Sequence, residues 1–245
     1  MSGRKAFDRV RVVLKDTTHP GNIGSTARAM KTMGIHQLYL VSPRTLIDAS
    51  SHALAAGATD ILSSAVFCNT LPEALAECTQ VFAFSARRRD LSPTFITARV
   101  AAETAATNIT ADGEVALLFG GERSGLTNED MGRAGYAVEI PTSSEYFSLN
   151  LSQAVQIAVY ELRQALTKAP RAPQRDMPSQ MQMEMFFTHC QEVLDNVNMP
   201  KRGDGGLLLA RLRRLITRAE PDAAETRMLR GVLRAVQRRI MRADK

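Results

Sequence analysis

Val115-Ala116-Leu117-Leu118-Phe119-Gly120-Gly121-Glu122-Arg123-Ser124-Gly125-Leu126 is an apolar strand that runs directly into a glycine pair and a carboxylate. Two further junctions share its character. His19-Pro20-Gly21-Asn22-Ile23-Gly24-Ser25-Thr26-Ala27-Arg28 follows the strand pattern of Val10, Val12 and Leu14. Ile140-Pro141 leads through a polar loop into Ser148-Leu149-Asn150-Leu151-Ser152. Each stands where a strand gives way to a helix, and in an α/β protein such junctions gather at one end of the sheet and build the ligand site. Glycines after a buried strand let the backbone approach a ligand closely. None of the three is a P-loop or a GxGxxG fingerprint. The misplaced serine of Gly-Glu-Arg-Ser-Gly excludes a nucleophile elbow.

Outward from these junctions, strand and helix patterns alternate. Asn22 is placed to cap a helix that carries Ile23, Ala27 and Met30 and stops at Gly34. Strands are expected over Leu38–Val41, Val81–Phe84 and Ala137–Ile140. Helices are expected around His52–Ala56, Leu71–Ala76 and Thr94–Thr107, and a short one is capped by Thr127. Leu151, Val155, Ala158, Val159 and Leu162 share one face of a long helix ending near Lys168, where Val155 and Val159 serve either the core or a subunit interface. The fold class is therefore α/β, a mostly parallel sheet with helices on both faces, plus a small all-helical C-terminal domain. Residues 1–168 form the first domain. Residues 169–178, with Pro170, Pro173 and Pro178, read as a linker, and residues 179–245 form the helical extension.

Composition narrows the function classes. Of 245 residues, 44% are hydrophobic and 23% charged, an ordinary soluble balance. No apolar run reaches the ~18 residues of a membrane span, and Met1–Lys5 lacks the apolar stretch of a signal peptide. A cytoplasmic protein with no membrane partner is expected. Cys68, Cys78 and Cys190 lack CxxC spacing and read as reduced thiols. His19, His36, His52 and His189 lack ligand spacing, so no metal is expected. The net charge of +6 is uneven: residues 1–168 hold 16 basic and 16 acidic side chains, residues 169–245 hold 15 and 9. Arg211, Arg214 and Arg218 make a basic stripe beside an apolar one of Leu208, Leu212, Leu215 and Ala219. Leu229, Val232, Leu233, Val236 and Ile240 repeat the plan in the last helix. Such a tail suits a polyanion, a solvated helical face being the alternative.

The three junctions, in this order, resemble the SPOUT superfamily of knotted RNA methyltransferases, and within it the tRNA 2′-O-ribose methyltransferases of the TrmJ type. The resemblance covers about residues 8–165, and the helical extension fits the same type. It implies a C-terminal trefoil knot, with the segment from Ile140 to Ser152 threaded through an earlier loop. It also implies S-adenosyl-L-methionine as methyl donor, tRNA as partner, and a homodimer with its clefts at the subunit interface. Carried over position by position, Phe84, Ser85, Ala86, Gly120, Ile140, Phe147, Ser148 and Leu149 line the cofactor. Arg28 acts at the attacking ribose hydroxyl, with Asn22, Glu122, Ser148 and Asn150 beside it. Arg28, Arg87, Arg88, Arg89, Arg123, Arg211, Arg214 and Arg218 face RNA, and ribose 32 of the anticodon loop is the implied target. From the residues alone, Asn22, Ser148 and Asn150 can equally be plain helix caps and Gly120-Gly121 a plain turn. Two other classes stay open on that basis: a non-catalytic RNA-binding module and a small-molecule α/β enzyme.

Overall fold

The computed structural model describes residues 6–87, 93–168, 176–197 and 205–243. Its strands are β1 (Val10–Lys15), β2 (Gln37–Val41), β3 (Val66–Cys68), β4 (Gln80–Phe84), β5 (Thr94–Thr97), β6 (Val115–Phe119) and β7 (Tyr136–Glu139). All pair in parallel, in the order β3-β2-β1-β6-β4-β7-β5. Val12 stands opposite Leu38 on one side and Leu117 on the other, so the centre of the sheet is apolar across three strands. The helices are α1 (Pro20–Met33), α2 (Ala49–Ala55), α3 (Thr59–Ser63), α4 (Leu71–Leu75), α5 (Ala98–Thr110), α6 (Asn128–Gly132), α7 (Leu151–Lys168), α8 (Gln180–Asn196), α9 (Gly205–Ala219) and α10 (Ala223–Ala243).

Both faces of the sheet are covered, as apolar parallel strands require. Val12, Leu14, Leu40, Phe82 and Leu117 pack with α1, α2, α3, α5 and α7; Val13, Val81, Ala83 and Leu118 pack with α4 and α6. Val155 and Val159 of α7 are fully buried in the first of these layers, which makes them core residues. The most buried charged residue of β1 is Arg11. Its guanidinium donates to the Ala74 carbonyl at 2.8 Å and to Glu77 at 3.0 Å, which ties α4 to the sheet.

Three sequence expectations are corrected. Residues 94–97 are an edge strand, and the helix starts only at Ala98, with Thr97 as its N-cap. Asn22 is not a cap: Pro20 occupies the first helical position, so the cap falls on His19 and Asn22 lies inside the first turn. In the tail, the α9 side chains that pack on Phe186, Phe187 and Cys190 are Leu209, Leu212 and Ile216, joined by Leu229 and Leu233 of α10. Leu208, Leu215, Val232 and Val236 are exposed instead. Strand β3 and helix α3 have no counterpart in the sequence reading.

The helical extension is fastened to the sheet domain. Gln180 N donates to Cys78 O at 2.7 Å, Met181 N to Ala76 O at 3.0 Å, and Gln80 Nε2 to Glu220 at 2.9 Å. Glu184 of α8 joins both parts, pairing with Arg133 at 3.1 Å and with Arg213, whose guanidinium also lies 4.2 Å from the centre of the Phe187 ring. Burial pushes the Glu184 carboxyl up, but the two guanidiniums outweigh it and hold it below the usual carboxylate range. A lowered folded pKa means this stabilisation is complete above the ordinary carboxyl value and is lost as pH falls through the lower one. Glu184→Gln should therefore cost about 1 kcal/mol at pH 7, because the carboxylate is only partly buried and solvent screens the pair. In thermal unfolding across pH, the gap between variant and wild type should close on acidification.

Candidate active site at the carboxyl ends of the strands

The loop after β6 can fold only with glycine at its start. A Cβ on Gly120 would come within 2.2 Å of the Gly125 carbonyl carbon and 2.4 Å of Leu126 N. The tight return is closed by Gly125 N donating to Gly121 O at 2.9 Å, and it projects Glu122 toward the end of β1. There Glu122 Oε2 accepts from Thr18 N and from Thr18 Oγ1, both at 2.9 Å. Its Oε1 accepts from Asn22 Nδ2 at 2.8 Å and from His19 N at 3.4 Å. Asn22 Oδ1 in turn accepts from Asn150 Nδ2 at 2.9 Å, and Asn150 Oδ1 accepts from Ser152 N at 2.9 Å at the start of α7. One hydrogen-bonded chain thus joins all three junctions. Burial raises the Glu122 pKa, but the bonds from Asn22 and Thr18 outweigh it, so the carboxyl sits below its usual range and is firmly ionised.

Above this chain lies a cleft of about 560 Å³. Its floor is the stacked pair Phe84 and Phe119, with ring centres 4.5 Å apart, at the ends of β4 and β6. Ser85, Ala86, Gly120, Ile140, Phe147, Ser148, Leu149 and Asn150 line it, so the cofactor residues expected from sequence converge on one cavity. Arg87 and Arg123 stand at its mouth. The segment from Ile140 to Asn150 passes beside the Gly120–Gly125 loop, a placement consistent with the threaded crossing that the resemblance implies. Ser148 and Asn150 are exposed to this cleft, and Asn150 combines helix capping with the bond to Asn22.

Arg28 lies elsewhere. It is exposed on α1, six residues beyond Asn22, and lines neither this cleft nor its neighbour. Arg88 and Arg89 fall outside the described residues. A second cavity, also about 560 Å³, opens between α6 and α9; Arg211, Arg214 and Arg218 line it together with Arg133 and Arg213. The chemistry-bearing junctions converge on the first cavity and not on this one. Three residues at the first site escaped the sequence reading: Thr18, which binds Glu122 twice; His19; and Tyr146, an aromatic side chain 80% exposed at the rim. The signal for His19 was its place directly before Pro-Gly at the strand–helix junction. Among the described residues, no cluster of His, Cys, Asp or Glu is arranged to hold a metal, and no helix is long and apolar enough to cross a membrane.

The chain is similar to known proteins along both of its parts. The profile of the SpoU rRNA Methylase family matches residues 9–160, and that of the tRNA methyltransferase TrmJ C-terminal domain matches residues 181–245. The chain is 42% identical over 236 residues to the tRNA (cytidine/uridine-2'-O-)-methyltransferase TrmJ of Yersinia enterocolitica, across 94% of this chain and 91% of that one. Among solved structures it is similar to TrmJ from Z. mobilis ZM4, with 31% identity and a TM-score of 0.80 over 93% of this chain and 98% of that one. An AdoMet-bound rRNA methyltransferase from Sinorhizobium meliloti shares the fold at 26% identity and a TM-score of 0.50, over 64% of this chain and 56% of that one.

Proposed function

Because the chain belongs to the SpoU methylase family and to its TrmJ branch, we propose that it methylates the 2′-oxygen of a ribose in the tRNA anticodon loop, at nucleotide 32, with cytidine and uridine as its bases. When bound, S-adenosyl-L-methionine supplies a methyl group already activated by its sulfonium, which the ribose oxygen takes in one in-line displacement. The cleft suits that donor. The Phe84–Phe119 floor offers an apolar bed for a flat base, and the backbone around Ile140 and Phe147–Leu149 offers hydrogen bonds at its edges. The protein's work is then to position the two reactants and to stabilise charge.

Glu122 is the organiser. It fixes Thr18 and Asn22, and through Asn22 it fixes Asn150, beside which Ser148 faces the reacting centre. Arg28 is a permanent cation, suited to stabilising a developing alkoxide. Its exposure away from its own cleft favours delivery to the cleft of a second copy, so the active form is a homodimer. Arg87 and Arg123 meet the RNA at the mouth, and Arg211, Arg214 and Arg218 hold its backbone at the tail, where arginine's planar fork suits phosphate.

The observation that carries this reading is the unbroken chain Thr18–Glu122–Asn22–Asn150 beneath the cleft. Unmodified tRNA incubated with the protein and labelled donor, then digested and analysed by mass spectrometry, should yield a 2′-O-methylated pyrimidine mapped to position 32. Charge reversal at Arg211 and Arg218 should weaken tRNA binding and flatten its salt dependence. Binding of S-adenosylhomocysteine without any RNA methylation would defeat the proposal.

A further inference from the structure

We propose that His19 is the catalytic residue that takes the proton from the ribose 2′-hydroxyl, an inference that rests on the methyl-transfer reading above. Beside the cofactor cleft runs a second, open groove of about 430 Å³, bordered by Gly21 and Ser25 of α1, Ser50 and Leu54 of α2, and Ser152 of α7. Three residues border both cavities: His19, Asn22 and Asn150. Donor and acceptor atoms must meet about 3–3.5 Å apart in a reactive pose. The passage between the two cavities is where a nucleotide in the groove can bring its ribose against a methyl group held in the cleft.

Few groups at that passage can accept a proton. The amides of Asn22 and Asn150 are not bases, and they are engaged with each other and with Glu122. Glu122 already accepts four hydrogen bonds and is held below its usual pKa, which makes it a poor base. Arg87 and Arg123, the other charged groups facing the passage from the loops after β4 and β6, are guanidiniums that offer no acceptor, and Tyr146 of the Ile140–Asn150 segment lines the cofactor cleft but not the groove. The groove wall from α2 contributes Ser50 and Leu54, neither of them titratable. An imidazole is the side chain that carries a free lone pair near neutrality.

The backbone of His19 is fixed, with N donating to Glu122 and O accepting from Asn22 N at 3.1 Å, while its ring makes no capping bond to α1. Its ring is thus uncommitted, on a backbone that is held in place. In the step, the ribose O–H bond breaks and its proton moves to a ring nitrogen of His19. The oxygen's electron pair forms the new C–O bond, and the C–S pair leaves with the sulfur, which becomes a neutral thioether. The imidazolium then releases its proton to water.

The test compares wild type with His19→Gln and with His19→Asn, the latter retaining a favoured capping residue. Single-turnover methylation should fall about 10²-fold or more in both, as for loss of a general base. The wild-type rise in rate with pH across the imidazole range should flatten, while S-adenosylhomocysteine affinity stays unchanged. Independently of activity, tRNA should protect His19 from diethyl pyrocarbonate, read by peptide mass spectrometry. Variants that keep the wild-type rate and pH profile, or a His19 that tRNA leaves unprotected, would overturn the assignment. A wild-type protein that methylates no RNA would remove the underlying reading, and the proton acceptor with it.

Discussion

Replacing Glu122 by alanine is expected to reduce kcat/KM by about 10²-fold or more, the scale on which small misplacements of reacting groups act. The reason is connectivity. Thr18 N, Thr18 Oγ1 and Asn22 Nδ2 all lose their acceptor at once, and Asn22 is the link that holds Asn150 at the start of α7. Part-buried donors left without partners should also lower stability, by about 1–3 kcal/mol. Glu122→Gln separates the two effects. It restores bulk but must turn an amide NH₂ toward the donors of either Thr18 or Asn22, so activity should stay low while stability partly recovers. Single-turnover kinetics and thermal unfolding on the same preparations measure both. Near-normal turnover in Glu122→Ala would remove it from the machinery.

Arg28→Ala should cost about 10²–10³-fold in turnover, as removal of one preorganised charge-stabilising donor does. Binding of S-adenosylhomocysteine should be spared, because Phe84, Gly120, Ile140 and Leu149, which line the cleft, are all retained. The same placement yields a sharper expectation. Arg28→Ala and Glu122→Ala are each inactive alone. If the arginine reaches a partner's cleft, a mixed dimer assembles one intact site from the Arg28 of one chain and the Glu122 of the other. Mixing the two purified variants should restore activity. No recovery after demonstrated subunit exchange would place Arg28 at its own chain's site and not at the partner's.

Much of this site was legible because its residues are local signals. Glycines and polar residues after strands mark where the sheet ends, and a parallel sheet brings such ends together whatever their spacing in sequence. Phe84, Gly120, Ile140 and Leu149 therefore came out on one cavity. What could not be read were contacts between distant segments. Asn22 resembled a cap because nothing local shows that its amide is claimed by Glu122, and Pro20 sets the helix start two residues earlier. Thr94–Thr97, a β-branched and aromatic run, was absorbed into the helix it precedes. An edge strand of four residues has too few alternations to announce itself. The register of α9 is not legible because Leu207, Leu208 and Leu209 are consecutive, and only the partner helix decides which one is inside. The dual role of the first turn of α1, as wall of two adjoining cavities, belongs to tertiary structure alone.

The order of the strands also bears on biosynthesis. β6 lies between β1 and β4, and both of its neighbours precede it in the chain. Until residue 119 leaves the ribosome, β1 and β4 have no strand between them, and each offers an unpaired, apolar edge. At about 5–20 residues per second, that gap persists for seconds after β4 is complete. The nascent polypeptide is then open to mispairing with other chains, and a holding chaperone that recognises extended apolar segments should bind it most strongly in that interval.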